Sequence, residues 1–122
     1  MTGKTIAIVD DDDAMVETLS DVLELHGWAP VRASDGEQAV ELVAAGNVDV
    51  VLMDIRMPKM NGVDALREIR RRRPAVKVVL FTASAAQGLL TDAERLGAAR
   101  VLRKPVDVVE LLSVLEGLRG AQ

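Results

Sequence analysis

The chain of 122 residues contains no cysteine. That one absence excludes a disulfide framework, a thiolate nucleophile and a cysteine-ligated zinc site. Aromatic side chains are nearly missing as well: Trp28 and Phe81 are the only two, and there is no tyrosine. Functions that stack bases or sugars on ring faces are therefore disfavoured. The single histidine, His26, falls at a predicted helix end and reads as a structural residue. No apolar run approaches the ~18 residues that a membrane span needs. Met1–Thr5 is not followed by the apolar core and cleavage site of a signal peptide. Positive charge is not in excess either, with 15 Lys and Arg against 19 Asp and Glu and a net charge of −4. A general nucleic-acid binder has the opposite balance. The expectation is a cytoplasmic protein that partners neither a membrane nor nucleic acid directly.

What is present fits one domain of ordinary size, read as residues 1–122 with no second domain. Apolar residues make up 49% and charged residues 28%, which is globular rather than disordered. Short apolar runs alternate with helical patterns. Ile6–Val9 is continuous, as in a strand buried on both faces. Asp12 or Asp13 caps a helix whose apolar face is Met15, Leu19, Val22 and Leu23, and Gly27 stops it. A weaker strand at Ala29–Ala33 follows. Ser34 or Asp35 then caps a helix with the stripe Ala39, Val40 and Val43, ending at Gly46. Val48–Met53 is the strongest strand signal and runs straight into Asp54. Met57-Pro58 and Asn61-Gly62 read as loop and turn. Val63, Leu66 and Ile69 mark a third helix, Val76–Phe81 a fourth strand, and Leu89, Ala93 and Leu96 a fourth helix weakened at its start by Gly88. Val101-Leu102 is a short fifth strand, and Val108, Leu111, Leu112, Leu115 and Leu118 line a last helix. The pattern is (βα)5. It predicts a doubly wound, flavodoxin-like α/β fold, with a parallel five-stranded sheet in the order 2-1-3-4-5 and helices on both faces.

Such folds bind ligands beyond the carboxyl ends of their strands, at the switch point between strands 1 and 3. Asp10, Asp11, Asp12 and Asp13 follow strand 1; Asp54 follows strand 3; Thr82, Ala83 and Ser84 follow strand 4; Arg103, Lys104 and Pro105 follow strand 5. Four segments thus deliver carboxylates, a hydroxyl and an ammonium to one rim. Two like charges about 4 Å apart repel by roughly 4 kcal/mol at an effective dielectric of ~20. Asp10, Asp11 and Asp54 together therefore call for a cation, and an all-oxygen donor set suits Mg²⁺. A metal, Lys104 and the Thr82 hydroxyl around Asp54 would make a site for phosphoryl transfer, with the Asp54 carboxylate attacking in line. Each residue alone has a bland role: Asp12 and Asp13 as helix starts, Thr82 as a turn residue, Lys104 on the surface. Their joint placement at four strand ends does not. Gly3-Lys4-Thr5 lacks the earlier glycine of a P-loop and precedes its strand, so it is set aside. Arg70–Arg73 suits the negative end of a helix and solvent.

At this point the residues resemble the receiver domain of bacterial two-component response regulators, over essentially the whole chain. Ile8-Val9-Asp10-Asp11-Asp12 is similar to the family's acidic motif. Leu52–Pro58 with Asn61-Gly62 is similar to its phosphoacceptor strand and loop, Phe81-Thr82-Ala83 to its hydroxyl motif, and Lys104-Pro105 after Gly97-Ala98-Ala99 to its lysine-proline motif. The resemblance implies that Asp54 accepts a phosphoryl group from a histidine kinase or phosphotransfer protein. It implies Mg²⁺ held by Asp11 directly, by Asp10 directly or through water, by Asp54 and by the backbone carbonyl of Arg56. Lys104 would contact the phosphoryl group, Thr82 would bond to it on activation, and Lys104-Pro105 would be cis. Arg56 and Ser84 flank the site and would tune the phosphoryl lifetime. Such a chain is no enzyme beyond assisting its own phosphotransfer and dephosphorylation. It would be a stand-alone receiver without an output domain, a monomer or weak dimer, signalling to a downstream protein target. One departure stands out: where the family usually has Tyr or Phe, three residues before the lysine, this chain has Val101. A valine has little to swing, so signalling is expected to run through backbone shifts around strand 4, helix 4 and strand 5. Two rival functions fit less well. A haloacid-dehalogenase-type phosphohydrolase would need Thr or Val at Ala14 and a late acidic pair. A degenerate, unphosphorylated receiver would not need the full set of Asp10, Asp11, Asp54, Thr82 and Lys104.

Overall fold

In a computed structural model, which describes residues 4–57, 60–83 and 87–120, five strands alternate with five helices. They are β1 (Thr5–Val9), α1 (Asp13–Leu25), β2 (Ala29–Ala33), α2 (Gly36–Ala44), β3 (Val50–Asp54), α3 (Gly62–Arg72), β4 (Lys77–Thr82), α4 (Gln87–Arg95), β5 (Arg100–Arg103) and α5 (Val108–Gly120). All pairings are parallel and the order is β2-β1-β3-β4-β5, as expected. The central strand β3 is buried at every position. The edge strand β2 is exposed or half-buried except at Ala33, and it holds Pro30, which an edge tolerates because one side of its ladder needs no donor.

Side chains alternate across the sheet with period two and build a core layer on each face. Ala7, Val9, Val51, Met53, Val78 and Leu80 pack with residues of α2, α3 and α4, among them Val40, Leu66, Ile69 and Ala93. Ile6, Ile8, Val50, Leu52, Val79 and Phe81 pack with residues of α1 and α5, among them Val16, Leu19, Leu23, Leu111 and Leu115. Trp28 lies in this second layer, so the chain's two aromatics share one face.

The helix boundaries follow local chemistry. Asp12, Asp35 and Asn61 cap α1, α2 and α3, their side-chain oxygens accepting from the backbone N–H of Met15, Gln38 and Asp64. Gly27 and Gly46, at φ of 87° and 91°, end α1 and α2 in the left-handed conformation that glycine adopts freely. Some details differ from the sequence reading, as at β4, which spans Lys77–Thr82 and not Val76–Phe81. The strand β3 starts at Val50, and Asp49 just before it accepts from the Thr5 N–H through its side chain at 2.9 Å. The buried stripe of α1 is Val16, Leu19, Ser20 and Leu23, which keeps helical spacing but includes a serine in place of Val22. Pro58 and Ser84 lie outside the described residues, as does the Leu89 side chain. Among the described residues no helix is long and apolar enough to cross a membrane.

Candidate functional site

The strand ends converge as the sequence predicts. Asp10 directly follows β1 and is pinned there by its N–H, which donates to the Ala33 carbonyl of β2 at 3.2 Å. Asp54 is the last residue of β3, and the next N–H, of Ile55, donates to the Phe81 carbonyl of β4 at 3.0 Å. Thr82 ends β4, and its carbonyl accepts from the Lys104 N–H at 2.9 Å. Backbone pairing therefore sets the spacing of the four segments before any side chain acts.

The side chains then meet. Lys104 Nζ donates to Asp54 Oδ2 at 2.9 Å and to Asp10 Oδ2 at 3.0 Å. The other oxygens are also used: Asp54 Oδ1 accepts from the Arg56 N–H at 3.1 Å, and Asp10 Oδ1 from the Asp12 N–H at 2.9 Å. Asp10, Asp54 and Thr82 are buried, with 2%, 6% and 2% of their surface exposed, whereas Asp11 is exposed. Carboxylate oxygens of Asp10, Asp11 and Asp54 all lie within 4.8 Å of one another. Three carboxylates outnumber one ammonium, so the cluster stays negative. Asp12 and Asp13 face a different task, as cap and first-turn residue of α1.

The charges leave their mark on the titrating groups. The Asp11 carboxyl is held above its usual value, first by the hydrogen bond it shares with Asp10, then by slight desolvation and by the charges of Asp10 and Asp54. Burial is the largest single influence on Lys104 and works against its charge. The hydrogen bonds and charges of Asp54 and Asp10 together outweigh it, so its pKa is raised.

A close approach of backbones holds the loop after Asp54. The Gly62 N–H donates to the Ile55 carbonyl at 2.7 Å. A Cβ on Gly62 would lie 2.6 Å from the Asp54 carbonyl oxygen and 2.7 Å from Ile55 Cα. One contact has no counterpart in the sequence reading: Lys104 Nζ sits 5.1 Å from the centroid of the Phe81 ring. The available signal was a lone phenylalanine immediately before Thr82, at a strand end already marked as part of the rim. The Lys104–Pro105 peptide bond is cis, as the resemblance implies.

Fold and rim together define a class, the flavodoxin-like (βα)5 proteins with an acidic, lysine-bridged centre at the switch point. Comparison with known proteins gives the family. The sequence model of the response regulator receiver domain matches residues 6–116, and the chain belongs to that family, a signalling module of two-component systems. It is 36% identical over 115 residues to the chemotaxis protein CheY of Thermotoga maritima, covering 91% of this chain and 96% of that one. It is 40% identical over 111 residues to the regulatory protein AtoC of Escherichia coli, covering 91% of this chain but only 24% of AtoC. Among solved structures it is similar to the response regulator TrrA of Thermotoga maritima in complex with Mg(2+)-BeF, with a TM-score of 0.85, 30% identity and coverage of 94% and 98%.

Proposed function

We propose that this chain is a phosphoacceptor receiver that takes a phosphoryl group onto Asp54 from the phosphohistidine of a histidine kinase or phosphotransfer protein. It then signals through phosphorylation-dependent contacts with a downstream protein. The observation that carries this proposal is the cluster itself: a carboxylate at the end of a fully buried strand, bridged by an ammonium and faced by two further acids. An acid at Asp54 adds nothing to packing and is costly to bury.

The donor set fits a hard divalent cation. It is all oxygen, it remains negative with Lys104 counted, and the neighbouring acids raise the Asp11 carboxyl above its ordinary value. Asp10, Asp11 and Asp54, with the backbone carbonyl of Arg56, would hold Mg²⁺. Bound there, Mg²⁺ supplies positive charge to the carboxylates and to the phosphoryl oxygens. TrrA, solved with Mg(2+)-BeF, supports both the ion and the phosphoryl mimic.

In the reaction an Asp54 oxygen attacks phosphorus as the P–N bond to the donor imidazole breaks, and the imidazole nitrogen keeps the electron pair. Lys104 begins on the Asp54 carboxylate and moves its hydrogen bond to the phosphoryl oxygens as negative charge shifts to them. Thr82, buried at the neighbouring strand end, hydrogen-bonds the phosphoryl group in the activated state. Arg56, two residues after Asp54 and bonded to it through its N–H, helps to set the lifetime of the group. The chain's catalytic role is confined to its own phosphotransfer and dephosphorylation.

Incubation with Mg²⁺ and acetyl phosphate tests this directly. Intact-mass measurement is expected to show gain of one phosphoryl group, lost with chelator and absent in Asp54→Ala. A wild-type protein that stays unmodified at saturating Mg²⁺, or an Asp54→Ala protein that is modified equally, overturns the proposal.

A further inference from the structure

The Lys104 ammonium has a third neighbour besides its two carboxylates. Its Nζ lies 5.1 Å from the centroid of the Phe81 ring, within the ~6 Å over which a ring face attracts a cation. Phe81 is fully buried, so the ring is a fixed surface rather than a swinging one. Its backbone is tied to the site on both sides. It pairs in register with Asp54 on β3 and with Leu102 on β5, and its carbonyl accepts from the Ile55 N–H at 3.0 Å. One residue thus touches both the strand that presents the phosphoacceptor and the ammonium that serves it.

We infer that Phe81 is a positioning residue, whose ring face holds the Lys104 ammonium in the site while its hydrogen bonds pass from carboxylate to phosphoryl oxygens. The physical case rests on the difference between a ring and a hydrogen-bond acceptor. Any third carboxylate or carbonyl near Nζ would take one of its protons and compete with the incoming phosphoryl group. The ring attracts the charge through its quadrupole and requires no proton pointed at one atom. It therefore still holds the ammonium once the carboxylate hydrogen bonds are given up, which is where its loss costs rate. An aliphatic side chain of the same bulk would fill the core but offer no such attraction. The consequence for phosphotransfer rests on the proposed function of Asp54; the contact itself does not.

The sequence makes the test selective. Phe81 is the only phenylalanine in the chain, so supplying mono-, di- or trifluorinated phenylalanine during expression alters this ring alone. Fluorination withdraws density from the ring face with little change in shape. The rate of Asp54 modification by acetyl phosphate is expected to fall stepwise along the series. The trifluoro protein should be slower by roughly three- to tenfold, as a cation–π contact of ordinary strength converts to rate. Two readouts in the metal-free protein are independent of phosphorylation. Fluorination should lower the thermal midpoint in the Lys104 protein but not in Lys104→Met, and the fluorine NMR resonance of the monofluoro protein should shift between those two backgrounds. Equal fluorination effects in both backgrounds, with an unmoved resonance, overturn the contact. A rate that stays flat along the series in a protein that is modified at Asp54 overturns the positioning role. If unfluorinated protein is not modified at all, the phosphoacceptor proposal fails while the metal-free readouts still decide whether the ring holds the ammonium.

Discussion

Asp11 is exposed, yet its carboxyl titrates above its ordinary value because Asp10 shares a hydrogen bond with it and both Asp10 and Asp54 repel its charge. An acid whose folded pKa is raised holds its proton more tightly in the folded chain than in the unfolded one. The stability it adds is present below the unfolded value and is lost as pH rises through the folded value. Once ionised, Asp11 therefore works against the metal-free fold. Asp11→Asn is expected to melt at a higher temperature than wild type in chelator at pH 7, with the gap closing as pH falls through the carboxylate range. Added Mg²⁺ should stabilise wild type more and reverse the order, because the ion repays the repulsion only where the carboxylates remain. Thermal melts across pH, with and without Mg²⁺, check this; an Asn variant that melts lower in chelator would show that the site carries no excess negative charge. At this scale the acids and Lys104 were legible because each follows an apolar strand and serves no packing purpose there. The ring beneath Lys104 was not, since it depends on the register of Phe81 with Leu102 and on where a long side chain lies, and neither is written in a hydrophobic pattern.

Helix α3 begins with Gly62, and the absence of a side chain there is what lets the helix close on the loop that follows Asp54. Gly62→Ala would press a methyl group onto the Asp54 carbonyl and Ile55 Cα, both backbone atoms that can only yield by moving the strand end. A loss of about 1–3 kcal/mol is expected, accompanied by slower modification of Asp54. Gly117 in α5 provides the control, because nothing lies within 4 Å of a Cβ built on it. Gly117→Ala should stabilise by about 0.5–1 kcal/mol through helix propensity and leave modification untouched. Chemical denaturation of both variants separates the two kinds of glycine; equal effects would mean that the close approach at Gly62 is not a constraint. Elements of this kind were legible in type and order, from periodicity and caps. Their contacts were less so. The arginine run reads in sequence as a solvated helix end, and Arg71 with its partner Glu68 fits that description. Arg73, however, donates to the Ala44 carbonyl at the end of α2 at 2.9 Å, and so ties two helices together. Ser20 shows the reverse failure: its hydroxyl is buried among apolar neighbours with no hydrogen-bond partner among the described residues, so a polarity pattern assigns it to the wrong face.

Along its strands the molecule carries an acidic cluster at one end and an arginine run at the other. The acids gather at the carboxyl ends of β1 and β3, while Arg70–Arg73 lie at the end of α3, which antiparallel packing of helix against sheet sends to the opposite edge. Topology was legible because alternating strand and helix patterns of this length permit few right-handed windings. How a change at the acidic end reaches the rest is the part that a pattern cannot carry. Val101 sits half-buried on β5, packed against the core layer that contains Leu80 and Ala93. It pairs with Leu80, two residues before Thr82. A valine in that layer has no ring to turn between two states, so displacement of Thr82 would have to travel through the paired backbones of β4 and β5. Mg²⁺ with beryllofluoride at about a hundredfold excess over its Kd should add about 2.7 kcal/mol of stability, roughly 10 °C in Tm for a chain of this length, and Asp54→Ala should abolish the shift. Hydrogen exchange on the same samples then reads the route: changed protection should extend from Thr82 along β5 and into the adjoining end of α4. Protection confined to the residues around Asp10, Asp54 and Lys104, with β5 unchanged, would mean that the signal does not leave the site by the backbone.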